Sequence, residues 1–134
     1  MQTREMNMPQ AAARVAVEDI LDPERLASLR EFQEEGEPDI VIELIEMFLD
    51  DLPESLAKLR AAVASGEAKA IERAAHSLKG SGANLGVVRI AAICAEMEAK
   101  ARSGSPEEAG SMLSQLEAEC ERVRQALGSM QPAM

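Results

Sequence analysis

Apolar positions recur every third or fourth residue along most of this chain, and clusters of Gly, Pro, Ser and Asp cut the pattern into helical lengths. Residues 1–17 carry only weak periodicity and read as a flexible lead-in, with some helical character over 11–16. In "LDPERLASLREF" Asp22 is placed to cap a short helix, Pro23 suits its first turn, and Leu26 and Leu29 share a face. "EEGEPD" breaks that helix. The spacing then predicts a helix over about 38–52, a restart at Pro53 with Leu56, Leu59 and Val63 on one stripe, and a stop at Ser65 and Gly66. The next helix begins near Glu67, carries Ile71, Ala75, Leu78 and Gly82 on one face, and ends around 84–86. Another covers about 87–102, with Ile90, Cys94, Met97 and Ala101 in line. In "RSGSPEE", Ser105, Pro106 and Glu108 have the arrangement of a capping box. The last helix follows from there and aligns Ala109, Met112, Leu113, Leu116, Cys120, Val123 and Leu127. Residues 129–134 read as a disordered tail.

Short connections make consecutive helices antiparallel neighbours, and no alternating strand pattern or internal repeat interrupts them. The expected fold is all-α: an up-and-down antiparallel four-helix bundle over 18–128, with one or two additional short N-terminal helices. Aromatic residues make up 1% of the chain, so the core must be aliphatic. Abundant Ala, Leu, Glu, Lys, Arg and Met agree with helix throughout. A net charge of −10 argues against nucleic acid and against an anionic membrane surface as partners. Cys94 and Cys120 fall on apolar helical positions and read as small buried hydrophobes. One histidine and two core cysteines offer no metal site. No apolar run approaches the ~20 residues of a membrane span, and "MQTREMNMPQ" has no signal-peptide core. The default expectation is a free-standing, cytoplasmic, monomeric protein.

The chemistry concentrates in "AAHSLKGSGANLG", which holds the single histidine, His76. At about 100° per residue, Ala75, Leu78, Gly82 and Leu85 fall within about 40° of Ile71, which defines the core face. His76 lies about 140° away, on the outer face, with Lys79 at about 80° and Gly80 at about 180°. A glycine inside a helix costs about 1 kcal/mol relative to alanine. Gly80 leaves open space beside the ring, and Gly82 allows close approach on the core side. Lys79 disfavours an imidazolium but would stabilise a phosphorylated imidazole, which carries negative charge. The combination fits a histidine that attacks a phosphoryl group and holds it.

"HSLKGSGANLG" resembles the signature of histidine-containing phosphotransfer (HPt) domains, His-x-Leu-Lys-Gly followed by small residues and a Leu-Gly pair. His76, Leu78, Lys79, Gly80, Leu85 and Gly86 match it, and "CAEMEAKAR" is similar to the family's segment on the following helix. The resemblance covers about 21–127. It implies a phosphorelay carrier that accepts a phosphoryl group on His76 and exchanges it with aspartates of response-regulator receiver domains. A sensor or hybrid histidine kinase would stand upstream. The carrier would have no cofactor and no kinase site of its own, in line with the absence of a Gly-rich phosphate loop. Lys79 would neutralise the phosphoryl oxygens and Gly80 would give the receiver access. Glu98 matches the position where the family sets Gln or Glu near the ring, and would orient the imidazole. Arg102 aligns with a basic position in some members. The alternative within the same fold is an acidic helical adaptor in which His76 is unused.

"PDIVIELIEMFLDDL" is too apolar for a single core stripe, its apolar residues spreading over about 220° where a core face needs only about 100°. Part of the excess is expected to be exposed beside His76. Ile42, Ile45 and Leu49, with Ser77 and Ala83, are the expected receiver-docking residues.

Overall fold

The computed structural model describes residues 20–128. Its helices are α1 (Pro23–Arg30), α2 (Ile40–Ser65), α3 (Ala68–Leu85), α4 (Val88–Arg102), α5 (Pro106–Gly110) and α6 (Leu113–Gly128). The lead-in expected over 1–17 and the tail expected over 129–134 lie outside the described residues. α2, α3, α4 and α6 are the four long members of an antiparallel bundle. α3 packs between α2 and α4, and α6 closes against α4 and α2.

The helix starts and stops follow from local chemistry. Asp22 and Asp39 cap α1 and α2, their carboxylates accepting from the N–H groups of Glu24 (3.2 Å) and Val41 (2.9 Å). The acidic connection between these helices is organised by Gln33. Its amide donates to the carbonyls of Glu34, Glu37 and Pro38, and its oxygen accepts from Ile40 N–H at 2.7 Å. Both reversals around α3 are made by glycine in the left-handed region, Gly66 at φ 71° and Gly86 at φ 93°. At the second corner the N–H groups of Gly86 and Val87 share the Gly82 carbonyl, at 2.8 and 2.7 Å. Asp22 N–H then donates to the Gly86 carbonyl at 2.9 Å, which ties the start of α1 to the α3–α4 corner.

Three expectations about helix boundaries need correction. Pro53 does not restart a helix; it sits inside α2, which runs without a break from Ile40 to Ser65. The missing N–H costs about 3 kcal/mol. Leu52 and Leu59 are nevertheless buried in line with Val41, Ile45 and Phe48, and each such side chain contributes about 1.5–3 kcal/mol. Burial on both sides of the proline therefore outweighs the lost bond. The last helix, conversely, is not one piece. Residues 111–112 turn between α5 and α6. The capping box is not formed either, because Ser105 N–H is already bonded to the Lys100 carbonyl at 2.9 Å and Glu108 is drawn toward Lys100 on α4.

The core is aliphatic, as the composition requires. Leu59, Leu78, Ile90, Met97, Leu116 and Leu127 are fully enclosed. Cys94 and Cys120 are free and buried, and burial pushes both thiols up to about 12. They behave as small core residues rather than reactive groups. Ile45, expected on the docking face, is 0% exposed and belongs to this core. It lies one helical turn from both Val41 and Phe48 and shares their inward direction.

Candidate functional site

The inward face of α3 is Ile71, Ala75, Leu78, Gly82 and Leu85, all buried. That fixes His76 on the outer face, where 68% of its side chain is exposed. The ring leans toward α4. There Ile90, Cys94, Met97 and Ala101 hold the core side and set Glu98 at the edge of the apolar stripe, under α3. Glu98 is only 4% exposed and is the one buried charged residue among those described.

A buried carboxylate is tolerated only when its oxygens are matched by donors. Three donors reach this one. Lys79 Nζ lies 2.7 Å from Glu98 Oε1. His76 Nδ1 lies 2.9 Å from Oε2, and Arg102 Nη2 donates to the same oxygen at 2.7 Å. Arg102 is held in turn by Glu72, its Nε donating to Glu72 Oε2 at 2.9 Å. The spacing of the sequence assembles this cluster. Glu72 and His76 are one turn apart on α3, Glu98 and Arg102 are one turn apart on α4, and Lys79 is on the next row of α3.

The electrostatics follow from these contacts. The hydrogen bond from Lys79, with that from His76 and the charge of the lysine, holds the Glu98 carboxyl down at about 2 against the opposing effect of burial. Glu98 is therefore ionised and can only accept. In the Nδ1–Oε2 contact the imidazole must be the donor, so the neutral ring carries its proton on Nδ1 and leaves the Nε2 lone pair free. Arg102, bonded to Glu72 and then to Glu98, is held still more firmly in its charged form.

A Cβ placed on Gly80 would meet nothing within 4 Å. A Cβ on Gly82 would make only ordinary contacts with Ile90 and with the backbone of Val87 and Ala91. Of the residues expected to line a docking face, Ser77 and Ala83 are exposed on α3, Ile42 and Leu49 are half-buried on α2, and Ile45 is buried. The exposed large apolar side chain on α2 is instead Met47, at 60%. It lines an open groove of roughly 310 Å³ with Leu44, Phe48, Ser81, Asn84 and Leu85. Met47 lay within the over-wide apolar arc of α2, but periodicity alone did not single it out. Glu72 carries no sequence signal beyond its position one turn before His76.

No helix of the described residues is long and apolar enough to cross a membrane. No cluster among them has three His, Cys, Asp or Glu side chains that could hold a metal.

The chain has a likeness to known proteins in sequence and in fold. The chain is 29% identical over 73 residues to histidine-containing phosphotransfer protein 5 of Arabidopsis thaliana, a stretch spanning 52% of this chain and 46% of that one. It thus spans a little under half the length of that relative. Its fold is similar to the crystal structure of HptB from Pseudomonas aeruginosa, with a TM-score of 0.72 and 36% identity over 82% of this chain and 92% of that one. It is also similar to MtHPt2 of Medicago truncatula, with a TM-score of 0.73 and 27% identity over 95% and 86% of the two chains. ZmHP2 of maize, at 19% identity and a TM-score of 0.73 over 97% and 94%, shares the fold. The Hpt domain model matches residues 43–126, which include α3, α4 and every residue of the cluster around Glu98, and the chain accordingly belongs to the Hpt domain family.

Proposed function

We propose that this chain is a phosphorelay carrier in which His76 takes a phosphoryl group from the aspartyl phosphate of one receiver domain and passes it to the aspartate of another. The observation that carries the reading is the bond from His76 Nδ1 to the ionised, buried Glu98. It leaves Nε2 as the nucleophile on an exposed ring, with open space at Gly80 for the donor. In the transfer, the Nε2–P bond forms as the P–O bond to the aspartate breaks, and the aspartate leaves as a carboxylate. The ring keeps its proton on Nδ1, shared with Glu98, which offsets the positive charge that would build on the imidazole. Reversal of the same steps returns the group to a receiver. The side chains around the ring supply orientation and charge compensation, while in-line placement of the donor falls to the receiver.

A receiver recognises its carrier through a surface next to the reacting atom. The groove between α2 and α3, with exposed Met47 on its rim, together with Ser77 and Ala83, fits that use better than Ile45, which faces the core. A histidine kinase belongs upstream in this reading, since the chain has no nucleotide-binding loop of its own.

The test is incubation with receiver domains carrying radiolabelled aspartyl phosphate. Wild type should acquire an acid-labile, base-stable phosphate, and His76→Gln should acquire none. A wild-type chain left unlabelled by every receiver of its source organism refutes the reading.

A further inference from the structure

Lys79 is the cation expected to meet the phosphoryl group, yet it is bonded to Glu98 at 2.7 Å. If it turned outward with no other cation at hand, a carboxylate with 5% of its side chain exposed would be left without a charged partner. A second cation is already in place. Arg102 donates to Glu98 Oε2 at 2.7 Å, while Lys79 uses Oε1, so the two do not compete for one oxygen. Arg102 sits on a helix end with 62% of its side chain exposed, where a long side chain would otherwise sample many rotamers. Glu72, reaching over from α3, holds its Nε at 2.9 Å. One guanidinium is thus fixed between a carboxylate on each helix, and its geometry suits such a fork better than an ammonium would.

We infer that Arg102, braced by Glu72, is a positioning residue that keeps Glu98 compensated and aimed at His76 Nδ1 while Lys79 leaves Glu98 for the phosphoryl group. Lys79 is 34% exposed, so its side chain has solvent into which to turn. The exchange involves no proton. Lys79 trades one anionic partner for another, and Glu98 retains Arg102 and the imidazole. Without Arg102, Glu98 would hold Lys79 back, and the phosphorylated ring would lose its cation. The inference rests on His76 being the acceptor, as proposed above.

The experiment uses phosphoramidate, a small donor that needs no docking surface. Its P–N bond breaks as Nε2–P forms, and ammonia leaves. Initial rates of His76 labelling are measured on the full chain for wild type, Lys79→Gln, Arg102→Gln, Glu72→Gln, Arg102→Lys and the Lys79→Gln/Arg102→Gln double variant. Thermal melts confirm that each is folded at the assay temperature. Loss of one charge-assisted contact in the phosphorylated state corresponds to about a tenfold fall in rate for Arg102→Gln. Glu72→Gln should fall in the same direction by less, and Arg102→Lys should recover part of the loss. The double variant should be little slower than Lys79→Gln alone, because Arg102 acts by releasing Lys79. A general loss of packing would instead make the two defects multiply. A labelled wild type with an unchanged Arg102→Gln, or with defects that multiply in full, overturns the inference and leaves the carrier function standing. A wild type that phosphoramidate and every receiver leave unlabelled overturns both. Should Arg102→Gln fail to fold, Glu72→Gln against wild type decides the matter on the same readout.

Discussion

Replacing Glu98 separates what its carboxylate does for the imidazole from what it does for the fold. In the wild type it accepts from Nδ1–H at 2.9 Å. A hydrogen bond to a charged group contributes about 1.5–3 kcal/mol, and the lower end applies to a ring as exposed as this one. About 1.5 kcal/mol amounts to a roughly tenfold preference for the tautomer that leaves Nε2 free. Glu98→Gln keeps one oxygen acceptor, but its amide N–H groups then face the ammonium of Lys79 or the guanidinium of Arg102. A neutral bond of about 0.5–1 kcal/mol would bias the tautomer only two- to fivefold. Glu98→Ala removes the bias altogether.

The fold should feel the Gln change far less. The three partners have side chains 68%, 34% and 62% exposed, so each recovers water when the carboxylate is gone. The cost of burying that carboxylate disappears with it. The net loss expected for Glu98→Gln is about 1 kcal/mol or less. The assay is a long-range ¹⁵N–¹H spectrum of the imidazole at a pH where the ring is neutral, beside a thermal melt of each variant. The Nδ1–H form should dominate in wild type, weaken in Glu98→Gln and lose its advantage in Glu98→Ala. An Nδ1–H form equally dominant in Glu98→Ala would refute the claim that Glu98 sets the tautomer.

The same carboxyl predicts a pH effect. Its folded value is about 2 against an ordinary 4.5, so the native state binds this proton more weakly than the unfolded chain does. Its contribution to stability is complete above about pH 4.5 and is lost as the pH falls toward 2, so chemical denaturation of Glu98→Gln between pH 5 and 2 should show a shallower decline than wild type. Gly80→Ala places a methyl where nothing lies within 4 Å. It should stabilise the helix by about 1 kcal/mol, or roughly 4 °C in Tm. Gly80→Leu should also fold and still accept phosphate from phosphoramidate, but lose transfer from receiver domains; equal loss with both donors would mean that Gly80 serves the ring rather than access. Pro53→Ala restores a donor inside α2 and should raise the denaturant midpoint, with a gain of about 2 kcal/mol and no change in m-value.

How much of this was legible in the sequence depended on whether the signal was local. The inward faces of α3 and α4 follow directly from a 3.6-residue period, because each core position is set by its own helix. His76 could be placed outward, and Glu98 at the edge of its stripe, without tertiary information. Pro53 misled because a proline's local cost is visible in sequence, whereas the burial of Leu52 and Leu59 that outweighs it is a property of the assembled bundle. Ile45 misled for a related reason. An apolar arc of about 220° shows that α2 meets more than one neighbour, but only the packing of α1, α3, α5 and α6 against it decides which part stays exposed. The capping box at Ser105 failed because a carbonyl five residues back, at Lys100, had already taken the N–H it needed.

The partnership of the charges was the least legible part, and it changes how the lysine is understood. The sequence makes Lys79 a cation waiting beside an imidazole. In the folded protein it is already engaged, as is every donor that reaches Glu98. Such a site has two requirements that pull against each other. The carboxylate must be held ionised to orient the ring, and the lysine must remain free to leave. A single counter-ion could not satisfy both. A second cation one turn along α4, fixed from α3 by Glu72, satisfies them together. By this logic, a related chain with a neutral amide at the position of Glu98 would have no buried charge to compensate. The brace would then be dispensable, and Glu98→Gln introduced into Arg102→Gln should recover labelling that Arg102→Gln alone has lost. Labelling by phosphoramidate measures this directly, and a double variant no faster than Arg102→Gln would show that the guanidinium serves something other than the charge on Glu98.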